Sequence, residues 1–222
     1  MFTLSIIGQK GGSGKTTVAL GLAVTAARVG ETVVVIDTDP QTNAMNWKDR
    51  RGDENPMVIS VQASRIRHTL DAARANHVDL VIIDTAGKNE TASIEAARLS
   101  DLVLVPSRPQ IFDMETLPTV RTMLRAANDP AAFILYNFIP PQGVQLVEKL
   151  KALTETHCGL PAAPVHLTQR AVYAEAQAQG KGPQEIDPDN RAVAELEGLY
   201  LFIKSHVNMS KGEHHGKEPR VV

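Results

Sequence analysis

Lys10-Gly11-Gly12-Ser13-Gly14-Lys15-Thr16-Thr17 lies between two apolar segments of different character. Before it, Phe2-Thr3-Leu4-Ser5-Ile6-Ile7 reads as a buried strand. After it, Val18 to Val29 repeats its apolar residues at helical spacing, and Gly30 supplies a C-terminal stop. Strand, glycine-rich loop, Lys-Thr and helix form the local context that a phosphate-binding loop requires. Glycines let the backbone curl until successive N–H groups point at one anion, and the helix N-terminus adds partial positive charge. In such a loop Lys15 neutralises the β and γ phosphates of ATP, and the Thr16 hydroxyl sits on Mg²⁺. Gly11, Gly12, Ser13, Gly14, Lys15, Thr16 and Thr17 are therefore the candidate nucleotide contacts.

Two further apolar runs end in acids. Val33-Val34-Val35-Ile36 leads into Asp37-Thr38-Asp39-Pro40-Gln41, and Val81-Ile82-Ile83 into Asp84-Thr85-Ala86-Gly87. Ligands of open parallel sheets bind beyond the carboxyl ends of the strands, so these acids are directed towards the loop's phosphates. A carboxylate at the position of Asp84 can hold a Mg²⁺ water without touching the metal. Gly87 would let the backbone approach the γ-phosphate.

Composition narrows the class. The chain has 222 residues, of which 43% are hydrophobic, enough for one large α/β domain with a real core. Only 4% are aromatic, so that core must be built from Val, Ile, Leu and Ala. This suits helices packed on a parallel sheet better than a β-sandwich. The single Cys158 excludes an internal disulfide or a Cys-ligated metal site and agrees with a reducing cytosol. No apolar stretch approaches the ~20 residues of a membrane span, and the chain enters its first strand without a signal peptide. These features lead us to expect a cytoplasmic protein. The net charge of −2 excludes a generally basic coat, so any DNA contact must come from a local, salt-sensitive patch.

Strand-like runs recur at 2–7, 32–36, 57–61, 80–83, 102–105, 133–136 and 163–167. Helical patterns lie between most of them: Ile66, Leu70 and Ala73 share a face, as do Ile94, Ala97 and the stem of Arg98. So do Val144, Val147, Leu150 and Leu153, then Val172 and Ala176. A last helix from about Asn190 to Val207 buries Val193, Leu196, Leu199 and Ile203. This alternation predicts a single-domain, doubly wound α/β fold with a mainly parallel sheet and helices on both faces, of the P-loop NTPase type. The domain is expected over residues 1–207, with a polar, disordered tail at 208–222.

The usual loop motif has a glycine five positions before Gly14, where this chain has Gln9; a second lysine, Lys10, stands at the loop mouth. With Gly-Gly-x-Gly-Lys-Thr-Thr, this resembles the deviant Walker A loop of the ParA/MinD class of ATPases, and Asp37-Thr38-Asp39-Pro40-Gln41 resembles that family's second signature. The similarity is dense over the first 90 residues and diffuse to about residue 207. It matches the short plasmid-partition form without an N-terminal helix-turn-helix module. The resemblance implies a weak Mg²⁺-ATPase acting as a switch, in which ATP stabilises a sandwich homodimer and Lys10 of each subunit reaches the other's phosphates. Asp39 would orient the attacking water, and Asp37 would serve the Mg²⁺ shell or hold Lys15. The dimer, or a polymer of it, would bind DNA without sequence preference, associate with the nucleoid and answer to a ParB-like centromere-binding adaptor. Asn137 stands where the superfamily often contacts the base, although a capped turn residue would look the same. Pro106 to Asp113 resembles the Pro-rich segment that approaches the dimer partner, or is an ordinary Pro-stiffened loop. Arg170, Lys181 and Lys204 in the C-terminal third are the DNA-contact candidates by the same resemblance.

Rival functions require features that are missing from the sequence. A MinD-like positioning ATPase needs a C-terminal amphipathic membrane helix, whereas Leu199, Leu201, Phe202 and Ile203 fall where a packed helix needs them. An accessory ATPase of DNA transfer, of the VirC type, shares the site and is the serious alternative; gene neighbourhood separates it. A metabolic amidase of the same fold needs a glutaminase domain, and a nitrogenase-type reductase needs paired cysteines for its cluster.

Overall fold

Runs of Val, Ile and Leu without polar alternation form strands that must be covered on both faces. β1 (Phe2–Ile6), β2 (Val33–Asp37), β4 (Leu80–Asp84) and β5 (Leu102–Ser107) are accordingly buried along their whole length. β3 (Met57–Ser60) and β6 (Ala132–Tyr136) complete the sheet at its edges. The computed structural model describes residues 1–87 and 89–213. Its six strands are all parallel, in the order β3-β2-β4-β1-β5-β6. The chain leaves β1 for one flank and returns through β4 before filling the other, so the crevice for a ligand opens at the carboxyl end of β1.

The helices divide between the two faces. α1 (Lys15–Arg28), α2 (Asn43–Arg50), α8 (Ala171–Ala178) and α9 (Arg191–Glu213) cover one face, with Val18, Leu22, Trp47, Leu196 and Leu199 in a common core with Leu4 and Ile82. On the other face, α3 (Ile66–Ala75) and α4 (Glu90–Arg98) cover β2 and β4, while α6 (Leu117–Ala126) and α7 (Val144–Cys158) cover β5 and β6. A four-residue turn, α5 (Ile111–Met114), stands at the mouth of the crevice.

Several details differ from the sequence pattern. Residues 163–167 do not form a seventh strand; they lie beside β6 with isolated bridges at Ala162 and Thr168. Pro161 and Pro164 lack the N–H groups that a continuous ladder needs. The buried face of α4 is Ala92, Ser93, Ala96 and Ala97, which turns Arg98 outward. In α7, Val147 and Leu150 are buried as expected, but the next buried position is Thr154, bonded to the Tyr136 hydroxyl, and Leu153 is exposed. In α9, Leu199 and Ile203 are buried as expected but Leu201 faces solvent. α9 also continues past Val207, and residues 214–222 of the expected tail lie outside the described residues. Among the described residues no helix is long and apolar enough to cross a membrane.

Candidate nucleotide site

β1 delivers the loop, and the strand register delivers the acids. Asp84 closes β4 opposite Ile6 of β1 on one side and opposite Asp37 of β2 on the other. Parallel pairing of adjacent strands therefore brings residues from three separate stretches of sequence to one edge. Above that edge lies a cleft of about 950 Å³. Gly11, Gly12, Gly14, Lys15, Thr16, Thr17, Asp39 and Gly87 line it as expected. Trp47 and Arg50 of α2, Asn89 and Glu90 at the start of α4, and Gln177 of α8 line it as well.

The loop is held in shape by its neighbours. Gly14 has φ +89°, and a Cβ there would lie 2.2 Å from Asn137 Nδ2 and 2.9 Å from Phe138 Cε2. Only glycine fits that conformation and that gap. Asn137 donates from Nδ2 to the Ser13 carbonyl (3.0 Å) and accepts the Phe138 N–H on Oδ1 (2.8 Å). It is buried against the loop and is not part of the cleft lining. The residue expected at the base thus braces the phosphate loop in this structure, its amide donating to a loop carbonyl and accepting a backbone N–H.

Lys15 is 7% exposed and donates from Nζ to the Lys10 carbonyl at 3.1 Å. Burial draws its ammonium below the ordinary lysine range, against the charges of Asp84 and Asp39, which raise it. Gly87 comes close on the other side: a Cβ there would be 3.1 Å from Lys15 Nζ and 3.1 Å from the Lys10 carbonyl carbon. The segment after β4 therefore approaches the loop so closely that a side chain at Gly87 would crowd Lys15 Nζ and the Lys10 backbone.

The acids do different work. Asp37 Oδ1 accepts the Asp39 N–H (3.0 Å), and Oδ2 accepts the N–H groups of Ala44 (3.1 Å) and Met45 (3.4 Å). Burial holds its carboxyl above the usual range despite those donors. In this structure Asp37, expected on Mg²⁺ or Lys15, anchors the first turn of α2 through backbone N–H groups on both oxygens. Asp39 faces the cleft, half-buried, with Oδ1 accepting the Gln41 N–H (2.9 Å). Asp84 is 1% exposed, and among the described residues neither of its oxygens has a hydrogen-bond partner. Its pKa is pushed up to about 7, first by burial; the nearby Thr16 hydroxyl opposes that rise without closing a bond, Asp37 and Asp39 add to it, and Lys15 opposes it.

An orphaned, buried carboxylate beside a hydroxyl fits a divalent cation. Mg²⁺ takes one or two protein oxygens, phosphate oxygens and waters rather than a cage. Among the described residues no cluster of three or more His, Cys, Asp or Glu forms such a cage. Thr16 and Asp84 are the groups that would hold Mg²⁺.

The pKa of Asp84 makes a testable stability statement. Its native value of about 7 lies above the ordinary 3.8, so between those values the folded state binds more protons than the unfolded one. Stability from this group is present below about pH 4 and is lost as pH rises through 7, by up to ~4 kcal/mol for three units. Asp84→Asn removes the titration. The Tm of the nucleotide-free variant should therefore gain on the wild type as pH goes from 5 to 8, and Mg²⁺ should no longer add to nucleotide stabilisation. A Tm difference independent of pH would contradict this assignment.

Lys10 stands at the rim. Its Nζ is 3.2 Å from Asp113 Oδ2 of α5 and 5.7 Å from the centroid of the Phe112 ring. Asp113 is buried, whereas Ile111 and Phe112 are 65% and 68% exposed. The three proposed DNA contacts do not form one patch of free charge. Arg170 pairs with Glu195 (3.0 Å), which also accepts the Thr168 N–H, and Lys204 pairs with Glu31. Lys181 is exposed, and its Nζ donates to Gln179 (3.3 Å).

Comparison with known proteins agrees with this geometry. Residues 4–183 match the family model described as the CobQ/CobB/MinD/ParA nucleotide binding domain. The maintenance of carboxysome distribution protein A of Gloeobacter kilaueensis is 28% identical over 204 residues, covering 86% of this chain and 92% of that protein. The chromosome-partitioning ATPase Soj of Thermus thermophilus is 27% identical over 232 residues, covering 95% and 90%. An ATP complex of Cyanothece McdA superposes with a TM-score of 0.70 at 18% identity, covering 92% of this chain and 96% of that one, and shares the fold. With the loop, the acids and the parallel sheet in this arrangement, the chain belongs to the CobQ/CobB/MinD/ParA nucleotide-binding family.

Proposed function

We propose that this protein is a Mg²⁺-ATP-dependent switch ATPase that forms a sandwich homodimer, binds DNA without sequence preference and partitions plasmid or other replicon DNA with a ParB-like adaptor. The observation that carries the reading is Lys10: a second loop lysine, 38% exposed at the rim of the cleft, beside the exposed apolar pair Ile111 and Phe112. A cation and an apolar knob at the mouth of a phosphate site suit contact with a second copy of the same surface. ATP, with its extra γ-phosphate charge, would favour that contact more than ADP, which is how a nucleotide becomes a switch.

Within the subunit the residues divide the work. The loop N–H groups, Lys15 and Thr17 bind and orient the phosphate chain. Asp39 holds the attacking water, and Gly87 reads the terminal phosphate by close approach. Mg²⁺, bound through Thr16 and Asp84, would neutralise charge on the leaving phosphates. The cargo is the least constrained part: the matched relatives are named for carboxysome distribution and for chromosome partitioning.

The decisive experiment measures DNA binding in ATP and in ADP across a salt series on two unrelated duplexes. Binding should need ATP, ignore sequence and weaken steeply with salt, since only phosphate contacts are invoked. Lys181→Ala should reduce the salt slope by about one charge per subunit. Lys204→Ala should change it less, because Glu31 already neutralises that lysine. Sequence preference, or equal binding in ADP, would sink the proposal.

A further inference from the structure

Thr17, in the first turn of α1, is placed differently from the threonines inside helices. Its helix neighbour Thr25 donates its hydroxyl proton to the carbonyl four residues earlier, Gly21 (2.8 Å), while accepting from the Gln184 amide (3.0 Å). Thr154 and Thr156 make the same backward bond to Leu150 (2.9 Å) and Ala152 (2.8 Å). Thr17 also accepts a glutamine amide, Gln177 Nε2 at 2.7 Å, but makes no backward bond. Thr17 lies in the first turn of α1, so the carbonyl four residues earlier, that of Ser13, precedes the helix, and it accepts Asn137 Nδ2. The hydroxyl of Thr17 is therefore an acceptor towards α8 with its own proton uncommitted, and both Thr17 and Gln177 line the cleft. Gln177 is itself fixed, because Arg50 of α2 donates from Nε (3.2 Å) and Nη2 (3.1 Å) to its backbone carbonyl.

We propose that Gln177 is a positioning residue that turns Thr17 into a dedicated hydrogen-bond donor for a nucleotide phosphate. Gln177, a pure donor through Nε2, fills the α8 side of the Thr17 hydroxyl and so directs the Thr17 proton away from α8 and into the cleft. A charged phosphate oxygen is the acceptor such a donor suits best. The inference deepens the nucleotide-site reading and rests on it. It also gives α8 and α2 a place in nucleotide affinity that the loop motif alone does not show.

The test is a double-mutant cycle on the full chain, with Kd measured for ADP and, without Mg²⁺, for ATP. Gln177→Met keeps the length of the side chain and removes the donor; Gln177→Leu is the second variant, and thermal unfolding monitors the fold of both. Each should weaken both nucleotides by roughly three- to tenfold, the share of one hydrogen bond that orientation controls. In a Thr17→Val background the same Gln177 changes should have no further effect, whereas in Thr17→Ser they should act as in the wild type. In steady-state hydrolysis the loss should fall on KM rather than on kcat. Wild-type affinity in both Gln177 variants, or an equal loss in the Thr17→Val background, would overturn the proposal. A wild-type protein that binds no nucleotide would instead overturn the nucleotide-site reading beneath it.

Discussion

Lys15→Ala is expected to weaken ATP and ADP binding by at least ~100-fold while leaving the fold in place. The side chain is nearly buried, yet its ammonium has one protein hydrogen bond, to the Lys10 carbonyl, and it sits where burial disfavours its charge. A buried cation so placed is held ready for an anion. Hydrogen bonds to charged groups contribute ~1.5–3 kcal/mol each, and Lys15 can offer more than one to a phosphate chain. Removing it leaves Asp84 without one of the charges that favour its ionised form, so the variant should bind protons at Asp84 more readily. The nucleotide-free protein should lose little stability, because truncation also removes an unfavourable burial of charge. Calorimetry with ADP and a thermal melt decide it together. Near-normal affinity would remove the phosphate-loop assignment, and collapse of the melt would mean that Lys15 serves packing.

The part of the site that could be read from the sequence is the part built from contiguous residues at strand ends. The loop from Gly11 to Thr17, Asp39, Asp84 and Gly87 meet in one cleft because a parallel sheet aligns the carboxyl ends of β1, β2 and β4. Apolar runs without alternation were enough to place those strands. α2 gives a weaker signal: Asn43–Arg50 is polar apart from Ala44, Met45 and Trp47, and it is held by Asp37 and by Trp47 Nε1 donating to the Lys181 carbonyl. Asp37 therefore reads as a site acid while its oxygens serve a helix that the pattern does not reveal. α6 does carry a helical signal, in Leu117, Val120, Met123 and Leu124. It was obscured by the Pro-rich stretch before it.

Contacts between distant residues left no local trace. Gln177 meets Thr17 across 160 residues, and Asn137 meets Ser13 across 124. No motif spacing reports such pairs, since they depend on how α8 and the end of β6 pack against the loop. The charge of Arg170 and Lys204 was equally illegible as free or paired: both belong to ion pairs whose partners, Glu195 and Glu31, come from other elements. A basic residue in the C-terminal third is thus a weak pointer to DNA until its neighbours are known.

Lys10 is the residue for which the subunit and the dimer make different demands. Within one subunit it pairs with the buried Asp113 carboxylate, and its own loop turns Lys15, not Lys10, towards the cleft. For Lys10 to serve a phosphate it must exchange Asp113 for another acceptor, and in the proposed sandwich an ATP-bound second copy would present one. A cation delivered in trans to a transferring phosphoryl group is worth ~10³–10⁵ in rate. Lys10→Ala should therefore still bind ATP as a monomer, yet fail to dimerise with itself, hydrolyse or bind DNA. Asp39→Ala should bind ATP and form a long-lived dimer but lose hydrolysis, because the group proposed to hold the water is gone while the phosphate cradle is intact. Mixing the two inactive variants gives the sharper result. In a mixed dimer one site keeps Asp39 and receives Lys10 from the Asp39→Ala partner, so that site is complete and hydrolysis should return at up to about half the wild-type rate per dimer; the other site lacks both groups. The measurement is phosphate release against mixing ratio, with mixed dimers verified by tagged co-purification in ATP. Rescue that tracks the mixed-dimer fraction places Lys10 in the neighbouring subunit's site. Verified mixed dimers with no activity would mean that Lys10 acts at its own phosphates after leaving Asp113, and the sandwich arrangement would have to be abandoned.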